Sequence, residues 1–281
     1  MDEQEMRERL SKDFGVEAEA IESLKGRGAI SGESFKVTAA DGKRYKLRVS
    51  KRAGEIAHNA RRFRHWFPAC HGHHGRLVLF DWEDAPTWRE ARLAPPVAES
   101  LCYQLGKMVG EVHALEETVE GKSVERTFKG YLEDIRKAGR LPEYLIRGVE
   151  RRYEAYEGRL EADIVLELND IHPRNMVIRH HKDPKRAKVV FVDEDGLGHK
   201  VKGLGLAKPL LVEGFIGTDR QKRAFWKGYR EHHSNDYFDH EYQEFIRFVQ
   251  IVRTLATRSK IGASEKDFRK AQDRLVRFLD E

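Results

Sequence analysis

Apolar and polar positions alternate along the first part of this chain and recur at helical spacing along most of the rest. Ser34-Phe35-Lys36-Val37-Thr38 and Arg44-Tyr45-Lys46-Leu47-Arg48-Val49 both alternate, which predicts two strands with one face inward. Asp41-Gly42 lies between them, and an Asp-Gly step joining two alternating runs predicts a hairpin. Residues 1–25 read as a short helix followed by the approach to a sheet. Gly54 to Trp66 predicts a helix that buries Ile56, Ala60 and Phe63, and Leu77-Val78-Leu79-Phe80 predicts a short strand. Pro86, Pro95 and Pro96 mark a connector. Beyond it, Leu101, Leu105, Met108, Val109, Val112 and Leu115 share one helical face, and residues 129–160 continue as charged amphipathic helix. Two short β-like runs follow, Ile164–Leu168 and Lys188–Val192, with Met176-Val177-Ile178 between them. From about Thr218 the pattern is helical, with Phe245, Phe248, Val249 and Val252 as core candidates. A β-rich portion followed by a helical one predicts an α+β protein in two lobes, residues 1–84 and 85–281.

Composition narrows the class without naming a partner. Lys and Arg total 52 against 47 Asp and Glu, a formal net charge of +5 that favours anions such as nucleotide phosphates. The two signs are interleaved, so the basic clusters at Arg61, Arg62 and Arg64 and at Lys182, Lys185, Arg186 and Lys188 read as solvated surface. No specific nucleic-acid partner is expected. No apolar run approaches the ~20 residues that cross a bilayer, so membrane insertion is not expected. The charged N-terminus lacks the apolar core of a secretory signal, and Cys70 and Cys102 are too few for a disulfide framework, which points to the cytoplasm.

Three segments carry candidate chemistry. In Leu168-Asn-Asp-Ile-His-Pro-Arg-Asn175, Asp170 follows an apolar run and Asn175 comes five positions later, before the next strand-like run. A short loop between strands can aim both side chains together, with Pro173 stiffening it. A carboxylate and an amide oxygen are what phosphoryl transfer needs, to orient an acceptor hydroxyl and to ligate Mg²⁺. In Val189-Val-Phe-Val-Asp-Glu-Asp-Gly196 a buried-looking strand delivers Asp193 at its end, and Asp195 is able to share a metal with it. Gly26-Arg-Gly-Ala-Ile-Ser-Gly32 is a glycine-rich turn whose backbone, around Gly28, Ser31 and Gly32, suits close approach to phosphates. Neither the Walker nor the Rossmann spacing is present in it.

Taken in order, these segments resemble the aminoglycoside phosphotransferase and choline kinase superfamily. That family shows a His-Gly-Asp-Leu-His-Pro-Gly-Asn loop followed by an Ile-Asp-Trp/Phe metal motif, and the Asn169-Asp170 pair resembles its choline kinase variant. Leu105-Gly-Lys-Met-Val-Gly-Glu-Val-His-Ala-Leu115 is similar to the helix ending in Leu-His before the loop, and Trp226-Lys-Gly-Tyr-Arg-Glu231 to the Gly-Tyr helix after the metal motif. The resemblance runs from about residue 20 to 260. It implies a bilobal protein kinase-like fold, with a nucleotide hairpin and hinge in the small β-rich N-lobe and the catalytic loop and acceptor site in the larger helical C-lobe. It further implies Asp170 as catalytic base, Asn175 and Asp193 as Mg²⁺ ligands, and adenine against the hinge near Phe80 and Trp82. His172 sits where protein kinases place a phosphate-contacting lysine.

The sequence departs from the family at three positions. Arg48 stands where a lysine is usual in the third strand, and Lys46, two residues earlier on the same face, is its rival for the phosphates. Glu55 is the expected carboxylate partner. Leu168 replaces the loop's first His and Arg174 the Gly before Asn175. The expected function is an ATP- and Mg²⁺-dependent phosphotransferase acting on a hydroxyl of a small molecule, the alternative being a pseudokinase-like nucleotide-binding protein. His71-Gly-His-His74 has no recognisable metal-ligand spacing and reads as a solvent-exposed turn.

Overall fold

The computed structural model describes residues 1–24, 33–157, 162–212 and 214–281. The chain is a mixed α+β protein, as its pattern predicts, and it divides into two compact units. The first comprises Met1–Leu101 with Pro173–Leu197, the second Cys102–His172 with Gly198–Glu281.

In the first unit Asp2 caps helix α1 (Glu3–Phe14) by accepting from the Glu5 N–H, and Gly15 ends it in the left-handed region at φ 66°. Strands β1 (Ala18–Ser23), β2 (Glu33–Ala39) and β3 (Arg44–Val49) follow, then helix α2 (Ala53–Arg62) and strands β4 (Cys70–His74) and β5 (Leu77–Asp81). The strands pair antiparallel in the order β1-β2-β3-β5-β4. Alternation does what the sequence implies: Phe35, Val37 and Leu47 point inward and meet Met6, Leu10, Leu77 and Leu79 in one core beneath α1. A hairpin of β7 (Met176–Arg179) and β8 (Lys188–Phe191), 95 residues further along the chain than β5 by the Asp81-to-Met176 count, completes the unit.

The His71-Gly-His-His74 segment is not a turn. It is edge strand β4, paired with β5 through Gly72↔Leu79 and His73↔Val78, with a bulge between Cys70 and Gly72. Gly72 takes a φ of 136°, which a side chain would resist. All three histidines are exposed, so no apolar alternation betrays the strand. No group of three or more His, Cys, Asp or Glu side chains among the described residues is arranged to hold a metal ion.

The second unit is largely helical. It contains most of α3 (Pro95–His113), then α4 (Val124–Ala138) and α5 (Glu143–Glu154), strands β6 (Ile164–Leu168) and β9 (Leu197–Val201), a short α6 (Leu204–Leu206) running into a π-helical turn (Ala207–Val212), and α7 (Asp219–Tyr229), α8 (His240–Lys260) and α9 (Glu265–Asp280). The single helix expected over 129–160 is two, because Gly139 adopts the left-handed conformation at φ 63° and Pro142 follows it. Phe245, Phe248, Val249 and Val252 are buried on α8, with Phe248 against Phe128 and Phe278. No helix among the described residues is long and apolar enough to cross a membrane.

Candidate active site

A cavity of about 530 Å³ opens in the first unit, lined among others by Lys36, Arg44, Lys46, Trp82, Val177 and Glu194. Its size suits a small organic ligand. Trp82 continues the chain beyond β5 on the cavity wall, whereas Phe80 is fully buried and is not among the described residues lining it. Of the two basic candidates on β3, Lys46 faces the cavity. Its Nζ donates to Val192 O at 2.5 Å and pairs with Glu194 Oε2 at 2.6 Å. Arg48 is buried beside Ser34 and donates to its Oγ at 3.0 Å. Glu55 is exposed on α2, where Arg52 donates to both of its carboxylate oxygens from Nε and Nη2.

Sequence reasoning missed Glu194. It is 1% exposed, and its Oε1 is buried with no hydrogen-bond partner among the described residues. A buried ion pair of this kind carries a large desolvation cost unless it is well bonded, so Lys46 and Glu194 depend on each other. The only local hint was the run of three acids, Asp193-Glu-Asp195, where mutual repulsion demands a partner for at least one.

The β7–β8 pairing sets up the metal candidates. Met176 opposes Phe191, so Asn175 just before β7 and Asp193 shortly after β8 emerge at the same end. Val192 N donates to Asn175 O at 2.8 Å, and Asn175 Nδ2 donates to Asp193 Oδ2 at 3.3 Å. An amide carbonyl and a carboxylate are the hard oxygen donors that Mg²⁺ prefers. With the orphaned Glu194 oxygen one residue from Asp193, the donor set fits that ion. The side chain of Asp195 and residues Gly28, Ser31 and Gly32 lie outside what the structure describes.

Asp170 lies in the second unit, two residues beyond the fully buried strand β6. Its backbone is left-handed at φ 57°, a conformation that Asp tolerates better than most side chains. Asn169 braces the turn by donating to Glu167 O and Gly198 O, both at 3.2 Å. Asp170 pairs with Lys208, which stands on the π-helical turn. His172 is half-buried and Arg174 exposed.

Behind the loop is a buried polar network. Glu167, fully buried on β6, lies 2.7 Å from His113 Nε2 and accepts from the backbone N–H groups of Gly203 and Gly205. His113 Nδ1 meets Tyr229 OH at 2.7 Å, and Tyr229 OH meets Tyr237 OH at 3.1 Å. Burial pushes both phenols well above their ordinary pKa, so they serve as neutral hydrogen-bonding groups. This network explains two patterns that the sequence displays. His113 and Tyr229 are its members, while Gly106, Gly110 and Gly228 let α3 and α7 touch backbone to backbone. A Cβ on Gly228 would stand 2.0 Å from Tyr103 O.

No protein-family model matches this sequence, and no curated protein matches it closely enough to count as a relative. Solved structures do match. The chain shares its overall fold with solved structures of choline, spectinomycin and macrolide phosphotransferases, at low sequence identity. Choline kinase LicA from Streptococcus pneumoniae superposes with a TM-score of 0.70 at 13% identity, over 99% of this chain and 98% of that one. A spectinomycin phosphotransferase, solved with ADP and spectinomycin, gives 0.61 at 13% identity over 100% and 94%. A type I macrolide 2'-phosphotransferase gives 0.63 at 13% identity over 97% and 96%.

Proposed function

We propose that this protein is an ATP- and Mg²⁺-dependent phosphotransferase that moves a γ-phosphoryl group to a hydroxyl of a small molecule. The observation that carries the reading is Lys46 on the cavity wall, anchored on Val192 O and on Glu194, which follows Asp193 of the Asn175–Asp193 pair directly in the chain. Nucleotide-bound relatives of the same fold support it: LicA was solved with AMP and the spectinomycin enzyme with ADP. Lys46, rather than Arg48, is the cation offered to the phosphates, and Trp82 supplies a flat apolar surface for a base. Asn175 and Asp193 would hold Mg²⁺, which when bound neutralises charge on the phosphates. Asp170 accepts the acceptor's hydroxyl hydrogen and aims its oxygen at phosphorus. Choline, spectinomycin and macrolides name the acceptors of the neighbours, and a small hydroxyl compound is the corresponding class here.

Calorimetric titration with ADP and ATP, with and without Mg²⁺, tests the reading. The wild type is expected to bind both, at least tenfold more tightly with Mg²⁺, and Asp193→Ala to lose that gain. Binding that ignores Mg²⁺, or no nucleotide binding, sinks the proposal. ATP turnover on a panel of hydroxyl compounds then separates an enzyme from a nucleotide-binding protein.

A further inference from the structure

The ion pair between Lys208 and Asp170 joins residues 38 apart in sequence, and Lys208 belongs to none of the sequence motifs. Lys208 is held there by its surroundings. The Glu167 carboxylate accepts from Gly203 N and Gly205 N, stapling the start of the 204–212 helical segment to the strand that leads into the loop. The backbone of Gly205 lies so close to Leu168 O that a Cβ would come within 2.1 Å of it. Three residues on, in a π-helical turn of a kind that recurs at functional sites, Lys208 reaches Asp170. Both ends of the pair are therefore fixed from the same strand, Asp170 by the loop and Lys208 through Glu167.

We infer that Lys208 is a catalytic residue that binds the transferring phosphoryl group, an inference that rests on the phosphotransferase reading. A hydroxyl held by Asp170 attacks only when its oxygen is about 3–3.5 Å from phosphorus. A cation bonded to that same carboxylate then stands beside the equatorial oxygens, where charge must be stabilised as the group moves. In the step, the acceptor O–H proton passes to Asp170 and the new O–P bond forms. The bond from phosphorus to the bridging oxygen breaks, and its electron pair leaves with ADP. Lys208 keeps its proton and donates to an equatorial oxygen. An ammonium, with three rotatable donors, serves carboxylate and phosphoryl at once.

Aluminium fluoride tests this without knowledge of the acceptor, because with ADP and Mg²⁺ it mimics the planar transferring group. ADP affinity is measured calorimetrically with Mg²⁺, in the presence and absence of aluminium fluoride. The wild type is expected to bind ADP at least tenfold more tightly with the fluoride. Lys208→Met should bind ADP·Mg²⁺ as the wild type does and lose the fluoride-dependent gain, while Lys208→Arg keeps part of it. Unchanged ADP·Mg²⁺ affinity certifies that each variant is folded. A full gain in Lys208→Met overturns the role of Lys208 and leaves the phosphotransferase reading standing. A wild type that binds ADP·Mg²⁺ but shows no gain removes the transfer chemistry, and the inference with it.

Discussion

Asp170 combines a charged side chain with a backbone conformation that few residues accept, and substitution separates the two. Asp170→Asn retains a residue type that tolerates φ 57°, so its melting temperature should stay near that of the wild type while turnover falls by on the order of 10²–10⁴-fold. Asp170→Ala should lose turnover equally and also destabilise, by about 1 kcal/mol, because alanine meets the left-handed penalty in full. Thermal denaturation alongside steady-state ATP consumption checks both. The Lys46–Glu194 pair gives a second contrast. Lys46→Met strands a carboxylate that is 1% exposed and should cost about 3 kcal/mol. Lys46→Met with Glu194→Gln removes both charges and should cost clearly less than the two single changes added together. A double-mutant cycle by urea denaturation reads the coupling. If the costs simply add, the two groups do not depend on each other.

Among the elements, glycines of the same sequence type face opposite fates. Gly228 on α7 lies against Tyr103 O, where a Cβ would stand at 2.0 Å, and helices α3 and α7 must part to admit it. Gly228→Ala should destabilise by roughly 1–3 kcal/mol or more, with displacement of Tyr229 from His113. Gly130, inside α4, has nothing within 4 Å of its missing Cβ, and Gly130→Ala should stabilise by about 0.5–1 kcal/mol. Urea melts of the two variants should move in opposite directions. Elements with their own local signal were legible in the sequence: the Asp41-Gly42 hairpin, the β6 and β8 runs and the loop between Leu168 and Asn175. Strand β4 was not, because its edge position exposes the histidines and its pairing is decided by β5. The role of Glu194 and the reach of Lys208 were hidden for a related reason. Partners 148 and 38 residues away leave no periodicity to read.

On the scale of the whole molecule, the first unit is assembled from two stretches of chain, and its cavity needs both. Met1–Leu101 supplies Lys46 and Trp82, whereas Pro173–Leu197 supplies Val177, Val192 and Glu194. A fragment ending at Leu101 should therefore fail to bind ADP·Mg²⁺, a result that calorimetry reads directly. The second unit carries a pH response. Burial holds the His233 imidazole below its ordinary pKa, and the neighbouring Lys202 adds to the effect. The folded state thus binds a proton on His233 less readily than the unfolded chain does. The associated stability is present in full above the ordinary histidine value of about 6.5 and is lost as the pH falls below it. His233→Gln should flatten that part of the stability–pH curve in urea melts between pH 5 and pH 7, whereas an unchanged slope assigns the response elsewhere.

Among the described residues, the three cations on the cavity wall all have acidic partners: Lys36 with Glu22, Arg44 with Asp84 and Lys46 with Glu194. On the proposed function, nucleotide entry would be an exchange reaction, in which a phosphate replaces or shares a carboxylate already in place. The electrostatic reward is the difference between two attractions instead of the whole of one. Salt screens the resident pairs together with the incoming one. Affinity for ADP should therefore fall only shallowly between low and physiological ionic strength. On the same reading, fit and hydrogen bonding more than charge would discriminate among nucleotides at this wall.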